Sequence, residues 1–580
     1  MGLFQRACET YDNIENLVGV MNNGHATLAP VGHTLVNSGI EIKIDKDGHF
    51  KKAVILDKNE PKIVIPVTEE SAGRTSVPCP HPLCDRLYYI LPDEKIEYGL
   101  YVKQLEKWVN SPYTHATSEA VLKYVKSQTV YTDIRNSGIK NIDKIKTFIV
   151  RWVVNDSPCW LDKSLSKAFS DYRIVNLPTE KNDFCFIDGK HERVASQHPK
   201  GVVAANGNAK LISSNDSRGF TYRGRFSNAK QALSVGYVAS QKAHNALRWL
   251  SDEYGVNSTF GGRVFLCWNP KNGREFTPIK RLSEKDFITF DYGEYIKNLS
   301  EMCDSFKNDE KDDIITVALD AATKGRLSVT YYREMKALTL TQNIFEWESR
   351  CCWYDGKNGI RTPSITDIVS CAFGFPTTEN GWEKLKTDAD VMKKQAQIII
   401  NCRANKIPIS QSISERIIKR ASMAQMFKTP LRRKIAFVAC ALINQSYFRN
   451  KGEICMKWTL DRRDRSFQFG RLLATTERTE ELLNLNASGD AQMTVSMQMM
   501  SKFRQNPFSV YELINRNIVR KHMLWFKSGQ IKKYRDKAGE ILEILRTFPE
   551  SELDLPLDNT YLMGYDLQRR AFFEDKEGEI

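Results

Sequence analysis

The sequence lacks any apolar run long enough to span a bilayer. Its opening, "MGLFQRACETYDNIENLVGV", carries acids where a secretory leader needs an apolar stretch. Arg6 stands where a myristoylation signal needs Ser or Thr. A cytoplasmic protein is therefore expected. There is no GxxxxGK[ST] loop, no HExxH and no GxSxG, which removes common routes to phosphoryl transfer, zinc proteolysis and serine hydrolysis. Histidine is scarce, nine in 580 residues, and does not fall at metal-ligand spacing. No internal repeat or low-complexity tract is evident. Acid is in deficit: 84 Lys and Arg face 70 Asp and Glu, a net charge of +14. A surplus of that size favours polyanionic partners, nucleic acid above all.

The thirteen cysteines are scattered, as in reduced and mostly buried thiols. Cys79, His81 and Cys84 in "CPHPLC" crowd three possible zinc ligands together, but no second pair follows at zinc-site spacing. A turn rigidified by proline is the favoured reading, and no cofactor is expected.

Patterning predicts an α+β protein: mixed α/β N-terminal and middle regions, then an all-helical C-terminal bundle. "EIKIDKDGHFKKAVIL" alternates about Asp47-Gly48 as a hairpin does. "KIVIPV", "DFCFIDG", "AKLISSN" and "RVFLCW" read as strands, and residues 96–128 and 140–154 as helices anchored by Trp108 and Trp152. Ala243, Ala246, Leu247 and Leu250 share one helical face, with Ser234 as the expected N-cap and Gly255 as the stop. "IITVALD" and "RLSVTYYRE" form a strand pair about Lys324-Gly325. Helix dominates from about 401, where Ala538, Ile541, Leu542 and Leu545 make a core stripe. Domains are expected at 1–270, 271–400 and 401–580.

Two constellations bear on chemistry. Asp320 ends one strand and Glu334-Met335-Lys336 lies in the next, an arrangement similar to the metal-binding core of restriction-type nucleases. Asp and Glu-x-Lys recur by chance, and a surface hairpin is the favoured reading. The stretch "NGNAKLISSNDSRGFTYRGRFSNA", residues 206–229, holds one acid, Asp216. Its glycines allow close backbone approach, and Arg218, Arg223 and Arg225 can meet phosphates, helped by Asn215 and Asn228. Phe220, Tyr222 and Phe226 either stack on bases or plug the core. Cations also crowd the helical part: eleven Lys and Arg against Glu415 alone between Arg403 and Lys451, and eight against Asp536 between Arg516 and Lys537. Such density of one sign is better tolerated beside a phosphate backbone.

The stretch "KLISSNDSRGFTYRGRFSNAKQALSVGYVASQKAHNALRWL" resembles a signature of the large subunit of type I-C CRISPR Cascade, the Csd-one or Cas-eight-c family. Ser213, Asn215, Gly219-Phe220, Tyr222, Gly224, Asn228-Ala229, Ser234 and Ala246-Leu247 carry the likeness. "GRTSVPCPHPLCDRLYYIL", "ITVALDAATKGRLSVTYYRE", "DRSFQFGRLLATTE" and "YLMGYDLQRR" resemble further family segments in the same order. Pro78, Pro92 and Asp566 depart from the family pattern, and the region before Arg74 fits it poorly.

The resemblance implies a non-catalytic subunit of an RNA-guided surveillance complex in antiviral defence. Its partners would be guide CRISPR RNA and target DNA, the Cascade backbone and handle-end subunits, a small subunit, and a recruited nuclease-helicase, with no membrane. Base pairing reads the target in such systems, while protein reads the short adjacent motif, the PAM. Under this reading Arg74, Thr75 and Ser76 read the motif. Asn215, Arg218, Tyr222, Arg223, Arg225 and Asn228 grip the opening duplex. Lys419, Arg420, Arg432, Arg433 and Lys434 line the displaced strand of the R-loop. Met456 is a candidate internal start for a separate small subunit.

Overall fold

The computed structural model describes residues 1–22, 24–74, 77–177, 182–213, 223–255, 259–276, 292–307, 312–323, 325–355, 359–379, 381–449, 458–488, 493–521 and 529–574. The fold is α+β. The chain divides into two compact units, Met1–Phe276 with Asp312–Met335, and Thr277–Lys311 with Lys336–Ile580. The middle stretch, 271–400, is thus shared between them.

In the first unit the expected hairpin forms from Ile40–Ile44 and Phe50–Ile55. Ile40, Ile42 and Ile44 alternate into the core. Gly48 turns the chain at φ +85°, and a Cβ there would lie 2.8 Å from the Ala120 carbonyl, so only glycine fits. Residues 140–154 are not a helix. Ile142–Ile145 make a short 3₁₀ turn, and Val150–Val154 form a strand parallel to Ile40–Ile44, with Trp152 opposite Ile42. The run "FIVRWVV" is β-branched and apolar on both faces, which suits a strand covered on both sides. The Asn155-Asp156 dipeptide, both residues at positive φ, then turns the chain tightly into Ser157. That dipeptide is the sequence signal that separates strand from helix here. Helices Lys95–Val109 and Ala116–Lys126 supply Trp108 and Tyr124 to the same core as Trp152.

A second sheet, in the order Arg326–Lys336, Asp313–Thr323, Arg263–Trp268, Thr259–Phe260, carries helices Leu3–Asn13 and Tyr237–Tyr254. Ala243, Ala246, Leu247 and Leu250 are all fully buried, as their spacing predicts. The helix starts at Tyr237 after Gly236, not at a Ser234 cap. The Ser234 and Val235 carbonyls accept from Phe186 and Ala195 N–H, which holds 234–236 extended. Among the described residues 209–213, "AKLISSN" makes isolated bridges rather than a regular strand, with Lys210 donating to the Gly325 carbonyl and accepting from Leu327 N–H.

The second unit is mainly helical, with helices including Ala337–Arg350, Ala389–Asn405, Thr429–Arg449, Arg465–Ser488 and Thr560–Glu574. Ile541 and Leu545 are buried, as the stripe requires. The segments "FQFGRLLATTE" and "YLMGYDLQRR" are the two sides of one helix crossing. A Cβ on Gly470 would lie 1.9 Å from the Tyr561 carbonyl, and one on Gly564 2.1 Å from that of Phe467. Buried Glu477 accepts from Tyr565 and from Arg569 at 3.0 Å. Asp566, the departure from the family pattern, accepts from Trp353 Nε1 at 2.8 Å and Arg570 Nε at 3.0 Å. These polar motif residues therefore fasten helices together.

Candidate nucleic-acid interface

The short helix Glu69–Gly73 is closed by Thr68 and Ser71, each side chain accepting from the other's backbone N–H. The Glu69 carboxylate accepts from Ser196 and Gln197 N–H at 2.7 and 3.0 Å, tying this helix to the 194–201 segment. Arg74 follows. Its guanidinium makes a fork of two 2.6 Å bonds to Asp85, donates to the Cys79 carbonyl at 2.7 Å, and covers the Tyr89 ring. Asp85 is fully buried and also accepts from His81 and Arg86 N–H. Inside the loop, Leu83 takes φ +68°, a strained value for a bulky residue, costing on the order of 1–3 kcal/mol. Its carbonyl is fixed by Tyr101 Oη and Trp152 Nε1. The loop is thus fastened at its base, and Val77 projects with 74% exposure.

This changes the role of Arg74. A guanidinium engaged by a buried carboxylate and a carbonyl is not a free reader of bases; it positions the loop. Thr75 and Ser76 lie outside the described residues.

A cleft of about 490 Å³ opens where this loop meets the 197–201 and 207–210 segments. Six cations line it: Lys62, Arg74, Arg86, Lys200, Lys210 and Arg248. Its acids are Glu69, already bonded to backbone N–H groups, and Asp252. Lys200 and Lys210 face each other across an antiparallel bridge. Burial lowers the Lys200 pKa, and the nearby charges of Lys210 and Arg74 lower it further. A cation so placed gains from an incoming anion. Arg248 donates to the Lys200 and Gly201 carbonyls at 2.6 and 3.2 Å, and its charge is disfavoured by burial and favoured by Asp252. Burial and Lys210 push His198 down to about 4, so that ring is neutral at physiological pH. The arrangement suits phosphate oxygens, with point charges standing at the wall.

The structure brings the Arg74 loop and the start of the 206–229 stretch to this one cleft. Lys62, Arg86, Lys200, Lys210 and Arg248 are not singled out by sequence pattern. One signal is present: "HPKGVVAANGNAK", residues 198–210, has no acid at all. The convergence of Lys62 and Arg248 has no local signal.

Of the proposed duplex-gripping residues, Asn215, Arg218 and Tyr222 lie outside the described residues, as does Phe220. Arg223 begins a 3₁₀ turn to Arg225, and its side chain is likewise outside them. Arg225 and Asn228 are exposed. Asn228 Oδ1 accepts from Gln231 N–H at 3.0 Å, closing the start of a short helical turn. Phe226 is half-buried.

The displaced-strand set divides. Lys419 and Arg433 are exposed. Arg420 instead donates to the Cys371 carbonyl at 2.9 Å and so caps the helix Ile365–Phe373. Lys434 is ion-paired with buried Asp367 at 2.5 Å. Arg432 is half-buried and reaches Met497 Sδ at 2.8 Å. Charge density along the sequence treats all five alike; internal partners engage Arg420 and Lys434. Met456 lies outside the described residues.

The nuclease-like carboxylates are held apart by different partners. Asp320 pairs with Arg263 at 3.0 Å, and Glu334 with Arg6 at 2.9 Å and the N-terminus at 3.1 Å. The zinc-like trio also diverges: the His81 ring meets Ser71 Oγ at 2.8 Å, Cys84 Sγ faces Cys159 Sγ at 3.9 Å, and Cys79 offers its carbonyl to Arg74. No helix among the described residues is long and apolar enough to cross a membrane.

No curated protein matches the chain. The family model described as CRISPR-associated protein (Cas_Csd1) matches residues 8–573, nearly the whole sequence. The ordered motifs, the loop they build and that match agree: the chain belongs to the Cas_Csd1 family of CRISPR-associated proteins.

Proposed function

We propose that this chain is the non-catalytic large subunit of a type I-C Cascade complex, and that it reads the PAM and grips duplex DNA at the basic cleft of its first unit. The observation that carries this reading is the cleft itself, where six cations meet two acids beside a loop fastened at its base. Lys200 and Lys210 hold phosphates, on a wall that Arg248 stiffens through the Lys200 and Gly201 carbonyls. Arg74 positions its loop, and Thr75 and Ser76 read the base edges. Arg225 and Asn228, with Arg218, Arg223, Asn215 and Tyr222, act at the opening fork. Lys419, Arg433 and Arg432 attract the displaced strand, stabilising the R-loop. A separate nuclease-helicase is recruited to cut. The separate arginine partners of Asp320 and Glu334 favour this reading over a metal-dependent nuclease.

The test is a gel-shift series on the assembled complex with PAM-bearing and scrambled duplexes. Lys200→Gln with Lys210→Gln weakens both duplexes, and the slope of log affinity against log salt flattens by about 2, near 0.9 for each phosphate no longer neutralised. Unchanged affinity and slope in that variant would remove the cleft from the DNA path. Internal initiation at Met456 is tested by blotting: Met456→Leu abolishes a short C-terminal product.

A further inference from the structure

The second unit carries a two-stranded hairpin, Phe375–Glu379 and Trp382–Lys386, whose outer face no packed element covers among the described residues. On the first strand 375, 376, 378 and 379 are all exposed; on the second, residues 382, 384 and 386 are exposed while 383 and 385 are half-buried, so that strand has a distinct outer face. That face presents Trp382, Lys384 and Lys386 in a row. Across the ladder stand Glu379 opposite Trp382, Thr377 opposite Lys384, and Phe375 opposite Lys386. Trp382 is 64% exposed and Phe375 54%. The inner face holds the hairpin in place: Glu383 accepts from Lys428 N–H at 2.8 Å, and Leu385 packs over Gly374.

Exposing a tryptophan at this level forgoes much of the burial gain of a big apolar side chain. A partner that covers the ring would recover it. The surroundings select the partner. The two rings stand at opposite ends of the face, roughly 13 Å apart at about 3.3 Å per residue. Lys384 and Thr377 lie between them rather than apolar side chains, and Lys386 stands beside Phe375. The one acid of the face, Glu379, is paired with Lys384 at 3.2 Å, leaving Lys386 in excess. Lys428, at the root of the hairpin, and Arg433, one helical turn further, are both exposed. A protein-docking patch concentrates apolar area at its centre and excludes charge there. Rings separated by cations match a single-stranded nucleic acid, whose bases stack while its phosphates meet the lysines.

We propose that the 375–386 hairpin is a stacking platform for single-stranded nucleic acid, with Trp382 holding one base and Lys384 and Lys386 the adjoining phosphates. This rests on the reading of the chain as a DNA-handling subunit, and it places displaced-strand contact on a ribbon that the charge pattern of the helices did not indicate.

The test uses the purified full chain and a fluorescently labelled oligothymidine. Trp382→Ala should weaken binding roughly tenfold, and Trp382→Phe should restore most of it, because stacking needs a ring. Lys384→Gln with Lys386→Gln should weaken binding and flatten its salt dependence. Thermal melts of each variant should match the parent, since these side chains are solvent-facing. In the assembled complex, affinity for a PAM duplex that does not match the guide, and so displaces no strand, should be unchanged by Trp382→Ala. Binding equal to the parent in Trp382→Ala overturns the platform. Loss of complex assembly with oligonucleotide binding intact also overturns it, in favour of a protein partner. A parent chain that ignores oligothymidine and duplex alike defeats both this inference and the functional reading beneath it.

Discussion

Arg74→Ala discriminates a residue that reads DNA from one that builds the loop that does. The Arg74 side chain is 12% exposed and that of Asp85 is 0%. Truncating the arginine leaves a buried carboxylate with two backbone donors, His81 and Arg86 N–H, and no countercharge. Removing one partner of a buried pair costs about 3–5 kcal/mol. Lysine is a poor replacement, because a point charge cannot reproduce the two-pronged bond to Asp85 and also reach the Cys79 carbonyl. The assay is hydrogen exchange followed by mass spectrometry, which reads the loop locally. Peptides covering the His81 and Arg86 amides should lose protection by roughly 100-fold or more if that cost falls on local opening. Asp85→Asn with Arg74→Ala should cost less than the sum of the two single changes, since the pair acts as a unit. If Arg74→Ala kept full protection at those amides yet lost all PAM preference, the positioning argument would be refuted and Arg74 would be a direct reader.

Gly470→Ala should destabilise the second unit by at least about 1–3 kcal/mol, because the added carbon meets backbone rather than a movable side chain; a melting curve equal to the parent would contradict the close crossing. Burial holds His33 and His81 at about 4 and His244 at about 3. The unfolded rings titrate near 6.5 and take up protons first, so stability is lost as pH falls from about 6.5 to about 4 and levels off below that. Urea midpoints should be clearly lower at about pH 5 than at about pH 7, and equal midpoints would contradict buried neutral rings. Incubation with Mg²⁺ or Mn²⁺ and plasmid should give no cleavage traceable to this chain; nicking abolished by Asp320→Ala would establish the nuclease alternative.

Local pattern is enough for much of the framework. The Asp47-Gly48 hairpin, the 243–250 stripe, the fully buried "RVFLCW" strand and the strand pair about Gly325 each follow from a period and a turn residue. The 140–154 stretch misleads because a short apolar run has no period to read, and only the Asn155-Asp156 turn that ends it separates strand from helix. Motif order alone leads to the family, although the motifs give no reason for their residues. Gly470 and Gly564 stand in their segments because two helix backbones touch, a fact that neither segment contains by itself.

What the sequence by itself determined was the α+β architecture and the family, since periodicity and ordered motifs are properties of the chain. Which cations are free was decided by the tertiary structure. Arg74, Arg420 and Lys434 found buried acids or carbonyls, while Lys200 and Lys210, ten residues apart, came to face each other beside Arg248. A charge becomes a binding group only when folding denies it an internal partner, and that pairing is settled by contacts between residues far apart in the chain.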